Sequence, residues 1–171
     1  SVVYNAVQAG LAVISTHTCM DKAPGGVSAV LAEKLGLMNV EDLPGGDGFV
    51  KIGEPQGLLS GLDLARMVKE RLGLRALRVY DAGFLARKGA VGSGGSYFEE
   101  VRAAGADAFV TGDVKHDVAV SAANAGLTLI DAGHYETEEI ILDPMARYLA
   151  ARFPEVKFER AKTDEPLFRL L

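Results

Sequence analysis

Short apolar runs of three to five residues, each closed by a glycine- or acid-rich loop and followed by a segment of helical spacing, recur along this chain. That alternation restricts it to an α/β architecture. Leu11-Ala12-Val13-Ile14-Ser15, Phe49-Val50-Lys51-Ile52-Gly53, Ala76 to Tyr80, Ala108-Phe109-Val110, Leu127-Thr128-Leu129-Ile130 and Val156-Lys157-Phe158 read as strands, and another is expected in the stretch ending at Val91. Val2 to Ala9 is helix-like. Gly25-Gly26 opens a helix whose apolar positions are Val27, Val30, Leu31 and Leu35, with Gly36 as its stop. Leu43 to Gly48 reads as a loop, and Ser60 is placed to cap a helix through Leu62, Ala65, Met67, Val68 and Leu72 that Gly73 ends. Further helices are expected from the Gly92–Ser96 loop to about Ala104, from beyond Asp113 through Ala123, and from Tyr135 to Ala151 with a bend near Pro144. The loops Gly92–Ser96, Thr111–His116 and Asp131–Glu138 all follow strands, at the edge where open α/β sheets bind ligands.

The 171 residues suffice for a single α/β region with a substantial core. No apolar run approaches the roughly 20 residues needed to cross a bilayer, so no membrane association is expected. No basic segment precedes an apolar stretch in the manner of a secretory leader. The lone cysteine, Cys19, excludes an internal disulfide framework and fits a reducing, cytoplasmic compartment. With a net charge of −5 and basic residues scattered, of which Lys69, Arg71, Arg75 and Arg78 come nearest to a cluster, no nucleic-acid partner is expected.

Chemistry-bearing residues concentrate near the three histidines, His17, His116 and His134, each shortly after an apolar run and beside acids. His134 and Glu138 are four apart, so on a helix both project from one face. An imidazole and a carboxylate so placed suit a divalent ion such as zinc, manganese or iron. The alternative is an acidic helix start, with Glu136 or Glu138 answering the helix dipole. His17 and Asp21 share that spacing, with a buried histidine and a turn or cap aspartate as the competing reading. Asp113 and His116, three apart, read as a helix N-cap plus an exposed histidine, or as a second ligand pair. The Gly92–Ser96 loop reads as a tight turn rather than a phosphate cradle, since it lacks the Lys-Ser/Thr ending of a P-loop. Cys19 has no local signature of a cysteine nucleophile.

Four stretches in order, Ser15 to Asp21, Gly92 to Ser96, Asp107 to His116 and Asp131 to Glu138, resemble the NIF-three-like dinuclear metal-binding family, the GTP cyclohydrolase I type 2 homologues. The resemblance implies a mixed sheet flanked by helices and assembly into a homo-oligomer, a ring-like hexamer. It implies Asp21, His134 and Glu138 as metal ligands, with His17 and His116 in supporting, proton-handling roles. Its cofactors are divalent zinc, iron or manganese, paired in the complete family fold. Cys19 stands where the family has asparagine, and no paired-histidine motif precedes the first stretch. The chain is therefore expected to represent the central and C-terminal part of a longer family fold, the alternative being a homologue that has lost part of its site. Three functions follow in order: a metal-dependent hydrolase acting on a nucleotide or small molecule through activated water, a non-catalytic metal-binding or regulatory assembly, and a nucleotide-binding module built on the glycine loop.

Overall fold

The computed structural model describes residues 1–94 and 97–161. Eight helices and eight strands follow along these residues: α1 (Val2–Gln8), α2 (Thr18–Lys22), α3 (Val27–Lys34), β1 (Met38–Asp42), β2 (Lys51–Glu54), β3 (Leu59–Ser60), α4 (Gly61–Leu72), β4 (Arg78–Tyr80), β5 (Leu85–Ala86), β6 (Gly89–Val91), α5 (Phe98–Ala103), β7 (Ala108–Thr111), α6 (His116–Ala125), β8 (Thr128–Asp131), α7 (His134–Glu138) and, after a 3-10 turn at Glu139–Ile141, α8 (Leu142–Arg152). Six strands form a mixed sheet in the order β1-β2-β6-β7-β8-β4, and β3 pairs with β5 in a small antiparallel ribbon. The central strands β6, β7 and β8 are parallel, while β2 and β4 run antiparallel against their outer sides. This is the α/β sheet with flanking helices that the strand–loop–helix alternation predicts.

Both faces of the sheet are covered, and the two-residue period of its strands divides the core. Val91, Val110 and Ile130 point to the layer formed by Leu31 and Leu35 of α3 and Leu64 and Val68 of α4. Ala90, Phe109 and Leu129 point to the opposite layer, with Phe98 and Val101 of α5 and Ala119 and Ala122 of α6. Strands buried on both faces need continuous apolar sequence, which explains the runs at 108–111 and 127–130. Helix α4 shows its signals intact. The Ser60 hydroxyl accepts the Asp63 N–H at 3.1 Å, and Gly73 closes the helix in the left-handed region at φ 68°.

Other expectations change. Leu11–Ser15 forms no ladder and lies exposed, Val13 at 76% and Ile14 at 89%, because no strand among the described residues pairs with it. Val156–Phe158 likewise joins no strand among the described residues, and follows a turn at 154–155. β1, which has no alternating pattern and no buried side chain, is an edge strand fixed by its pairing with β2. The last helix breaks just before the expected point. The 3-10 turn ends at Ile141, and Pro144 sits in the first turn of α8, where its missing N–H is tolerated. Among the described residues, no helix is long and apolar enough to cross a membrane.

Candidate functional site

The carboxyl ends of β6, β7 and β8 lie along one sheet edge, and the loops leaving them build the site. Thr111 and Asp131 are register partners at the ends of β7 and β8. Asp113 and His134 thus leave the sheet side by side, although 21 residues separate them in sequence. Two glycines allow the approach. A Cβ on Gly112 would lie 2.7 Å from the backbone of Gly133 and His134, and one on Gly133, at φ 91°, would lie 2.1 Å from Glu136 Oε2. The buried Asp131 ties the loops together: its carboxylate accepts the Gly133 N–H at 3.1 Å and the Val114 N–H at 3.2 Å and pairs with Arg78. The Thr137 hydroxyl donates to the Gly133 and His134 carbonyls at 2.8 and 3.0 Å, fastening the first turn of α7.

His134 heads α7 and makes two ring contacts, Nδ1 to Asp113 Oδ2 at 2.7 Å and Nε2 to Glu138 Oε1 at 2.9 Å. Partial burial works against its charged form, but the Asp113 hydrogen bond and the Glu138 carboxylate together hold its pKa above the usual histidine value. The predicted one-face pairing of His134 and Glu138 is present. Glu138 serves the imidazole, and the N-cap of α7, Gly133, has no side-chain cap. Glu136, the other capping candidate, has Oε2 buried without a hydrogen-bond partner.

Helix α2 brings in the second predicted pair. Gly26 lets α2 fold down on α3, since a Cβ there would meet the Met20 carbonyl oxygen at 2.0 Å. His17 occupies the N-cap of α2 without a side-chain capping bond, and Asp21 lies one turn on, half-buried. Burial, then the Glu138 charge, pushes the Asp21 carboxyl above its ordinary range, while the charges of His17 and His134 pull it back. A cleft of about 230 Å³ is lined by His17, Asp21, Tyr135 and Glu138 together with Met20 and Met145. His17 is thus an exposed cleft residue, not a core histidine. Beside Asp21, Phe49 and Tyr97 stack with ring centres 5.6 Å apart, and the Lys22 ammonium sits 4.4 Å over the Phe49 ring.

His116 stands apart. It is the exposed first residue of α6 and lines neither this cleft nor the adjoining one of about 470 Å³ around Asp113, Lys115 and His134. The reading of Asp113 as the cap of α6 is corrected: Lys115 occupies the N-cap, and Asp113, at φ 56°, turns to His134. Gly94 lines the larger cleft, while Gly95 and Ser96 of the predicted loop lie outside the described residues. Cys19 is exposed and free. A separate groove of about 640 Å³ along β1 and β2 contains Asn39, Glu41, Glu54, Arg87 and Lys88 but none of the histidines.

The donor chemistry of Asp21, His134 and Glu138 suits zinc, iron or manganese, and three protein ligands are what a catalytic site with an open position uses. In number the match is weaker. Among the described residues, no group of three or more His, Cys, Asp or Glu side chains is gathered closely enough to form a ready ligand set. Sequence reading missed the Asp113–His134 contact, for which only the shared strand-end position was a signal, and the clamp made by Asp131.

Residues 1–166 match the Duf34/NIF3 (NGG1p interacting factor 3) family. The chain belongs to that family. The Lactococcus lactis GTP cyclohydrolase 1 type 2 homolog is 33% identical over 140 residues, 78% of this chain and 54% of that protein. The Streptomyces coelicolor protein of the same name is 37% identical over 150 residues, 80% of this chain and 53% of that one. The chain therefore spans about half the length of these curated relatives. The crystal structure of a Bacillus cereus protein related to NIF3 superposes with a TM-score of 0.86 at 20% identity, covering 98% of this chain and 76% of that one, which shows the shared fold.

Proposed function

We propose that this NIF3-family chain takes part in a metal-dependent, hydrolase-like reaction on a nucleotide or another small molecule, with Asp21, His134 and Glu138 as ligands to divalent zinc, iron or manganese. The observation that carries the reading is the convergence of His134 Nε2 and Glu138 Oε1, 2.9 Å apart on one face of α7, with the Asp21 carboxyl within their electrostatic reach. The relatives' name, GTP cyclohydrolase 1 type 2 homolog, supports a nucleotide as substrate. Divalent ions held by these residues would lower the pKa of a bound water and would stabilise a developing oxyanion.

The chain's own residues do the rest. Asp21 and Glu138 line the same cleft, and His134, which lines the neighbouring one, turns Nε2 to Glu138. His17, on the same cleft wall, is placed to accept or return a proton, and is better placed for this than the outlying His116. A self-assembled homo-oligomer belongs to the same reading.

Elemental analysis of the purified protein beside its Asp21→Ala and His134→Ala variants tests the assignment. Bound divalent metal is expected in the parent, with marked loss in both variants; equal metal content in all three overturns it. A second reading, a metal-binding protein without catalysis, draws on the incomplete gathering of donors. Retained metal with no turnover of nucleotides or esters would select it.

A further inference from the structure

We propose that Asp113 is the positioning residue of this site, fixing the ring proton of His134 on Nδ1 so that Nε2 is the nitrogen offered to the side of Glu138 and Asp21. The ligation half of the inference rests on the metal reading above; the hydrogen-bond half stands without it.

Asp113 adopts a left-handed backbone, φ 56°, which disfavours any residue with a Cβ and is better tolerated by aspartate and asparagine than by most. The turn points its carboxylate at His134, with Oδ2 2.7 Å from Nδ1. Gly112 before it admits the backbone of Gly133 and His134 at a distance no side chain permits, and Val114 after it is held by the Asp131 carboxylate. The strained residue is thus braced from both neighbours.

An imidazole has two distinct nitrogens, and the partner of one decides what the other can do. His134 lies between two carboxylates, Asp113 on Nδ1 and Glu138 on Nε2. Both are acceptors, so a neutral ring must choose which nitrogen keeps its proton. Asp113 is turned onto Nδ1 by its own left-handed backbone, and with the proton held there the Nε2 lone pair is left for an incoming cation on the side of Glu138. Carboxylate–histidine pairs do the same at metal sites in general, where loss of the outer carboxylate costs about 10- to 100-fold in affinity.

Asp113→Asn and Asp113→Ala provide the test. Asparagine keeps the shape and tolerates the left-handed turn, so it controls for folding; alanine removes the acceptor. Long-range 1H–15N correlation spectra of metal-free protein, taken at alkaline pH where the ring is neutral, read the tautomer. The parent is expected to hold its His134 proton on Nδ1, and Asp113→Ala is expected to move it to Nε2, where Glu138 remains as acceptor. Calorimetric titration with Zn²⁺ alone is expected to show affinity falling about 10- to 100-fold in Asp113→Ala and less in Asp113→Asn.

A parent proton on Nε2, or a tautomer indifferent to Asp113→Ala, overturns the proposal. So does the expected tautomer with unchanged Zn²⁺ affinity in Asp113→Ala, provided His134→Ala does lose zinc. If His134→Ala also binds zinc normally, the metal reading fails and the ligation half with it, while the spectra still decide the hydrogen-bond half.

Discussion

Gly112 shows how a single missing Cβ makes the site possible. At 2.7 Å from three backbone atoms of Gly133 and His134, an added methyl has no flexible side chain to push aside and must displace backbone. Gly112→Ala is therefore expected to destabilise the fold by about 1–3 kcal/mol. Urea denaturation measures this, and the Asp113–His134 contact should loosen in step, seen as a shifted His134 ring spectrum. A variant as stable as the parent, with an unmoved spectrum, would show that the two loops do not abut. The same residue scale explains why the site was half legible. His134 and Glu138 share a helix face, so spacing reveals them. Asp113 and His134 meet only because Thr111 and Asp131 end adjacent parallel strands in register, a fact of tertiary structure.

Among the elements, legibility followed the strength of local signals. In α4, the Ser60 cap, the apolar stripe and the Gly73 stop agree, and the helix forms where they place it. β7 and β8 were legible because strands buried on both faces must be apolar throughout. β1 carried no such signal, since only its pairing with β2 defines it. At the start of α4 the Ser60 hydroxyl also bonds Asp63 Oδ2 at 2.7 Å, and Arg66 pairs with the same carboxylate, so both lower the Asp63 pKa. A carboxyl lowered by folding contributes stability above its ordinary pKa and loses it as pH falls through the lower folded value. Ser60→Ala is expected to cost about 1 kcal/mol near neutral pH and less in acid, with the Asp63 pKa moving up toward normal. Denaturation at several pH values and carboxyl NMR titration check both; an unshifted Asp63 would assign its lowering to Arg66 alone.

Across the whole molecule, apolar character and structural contribution part company. Residues 1–16 contain no charged side chain, yet α1 buries nothing, and Val2, Val3, Tyr4, Val7, Leu11, Val13 and Ile14 all stand exposed. The strand propensity of Leu11–Ser15 is real, but a strand is stabilised by its neighbours, and none among the described residues pairs with it. The two core layers rest instead on residues such as Phe109, fully buried in the central strand β7. Two variants with opposite expectations follow for the 171-residue chain. Phe109→Ala should cost about 3–5 kcal/mol, through lost transfer energy and the cavity left beneath α5 and α6. Ile14→Asp should change stability by no more than about 0.5 kcal/mol, because the side chain it replaces touches little but solvent. Guanidinium denaturation of the two beside the parent decides between a core confined to the sheet and its helices and one that includes the N-terminal segment. A penalty for Ile14→Asp approaching that of Phe109→Ala would mean that residues 11–15 are buried in solution, as their sequence alone predicts.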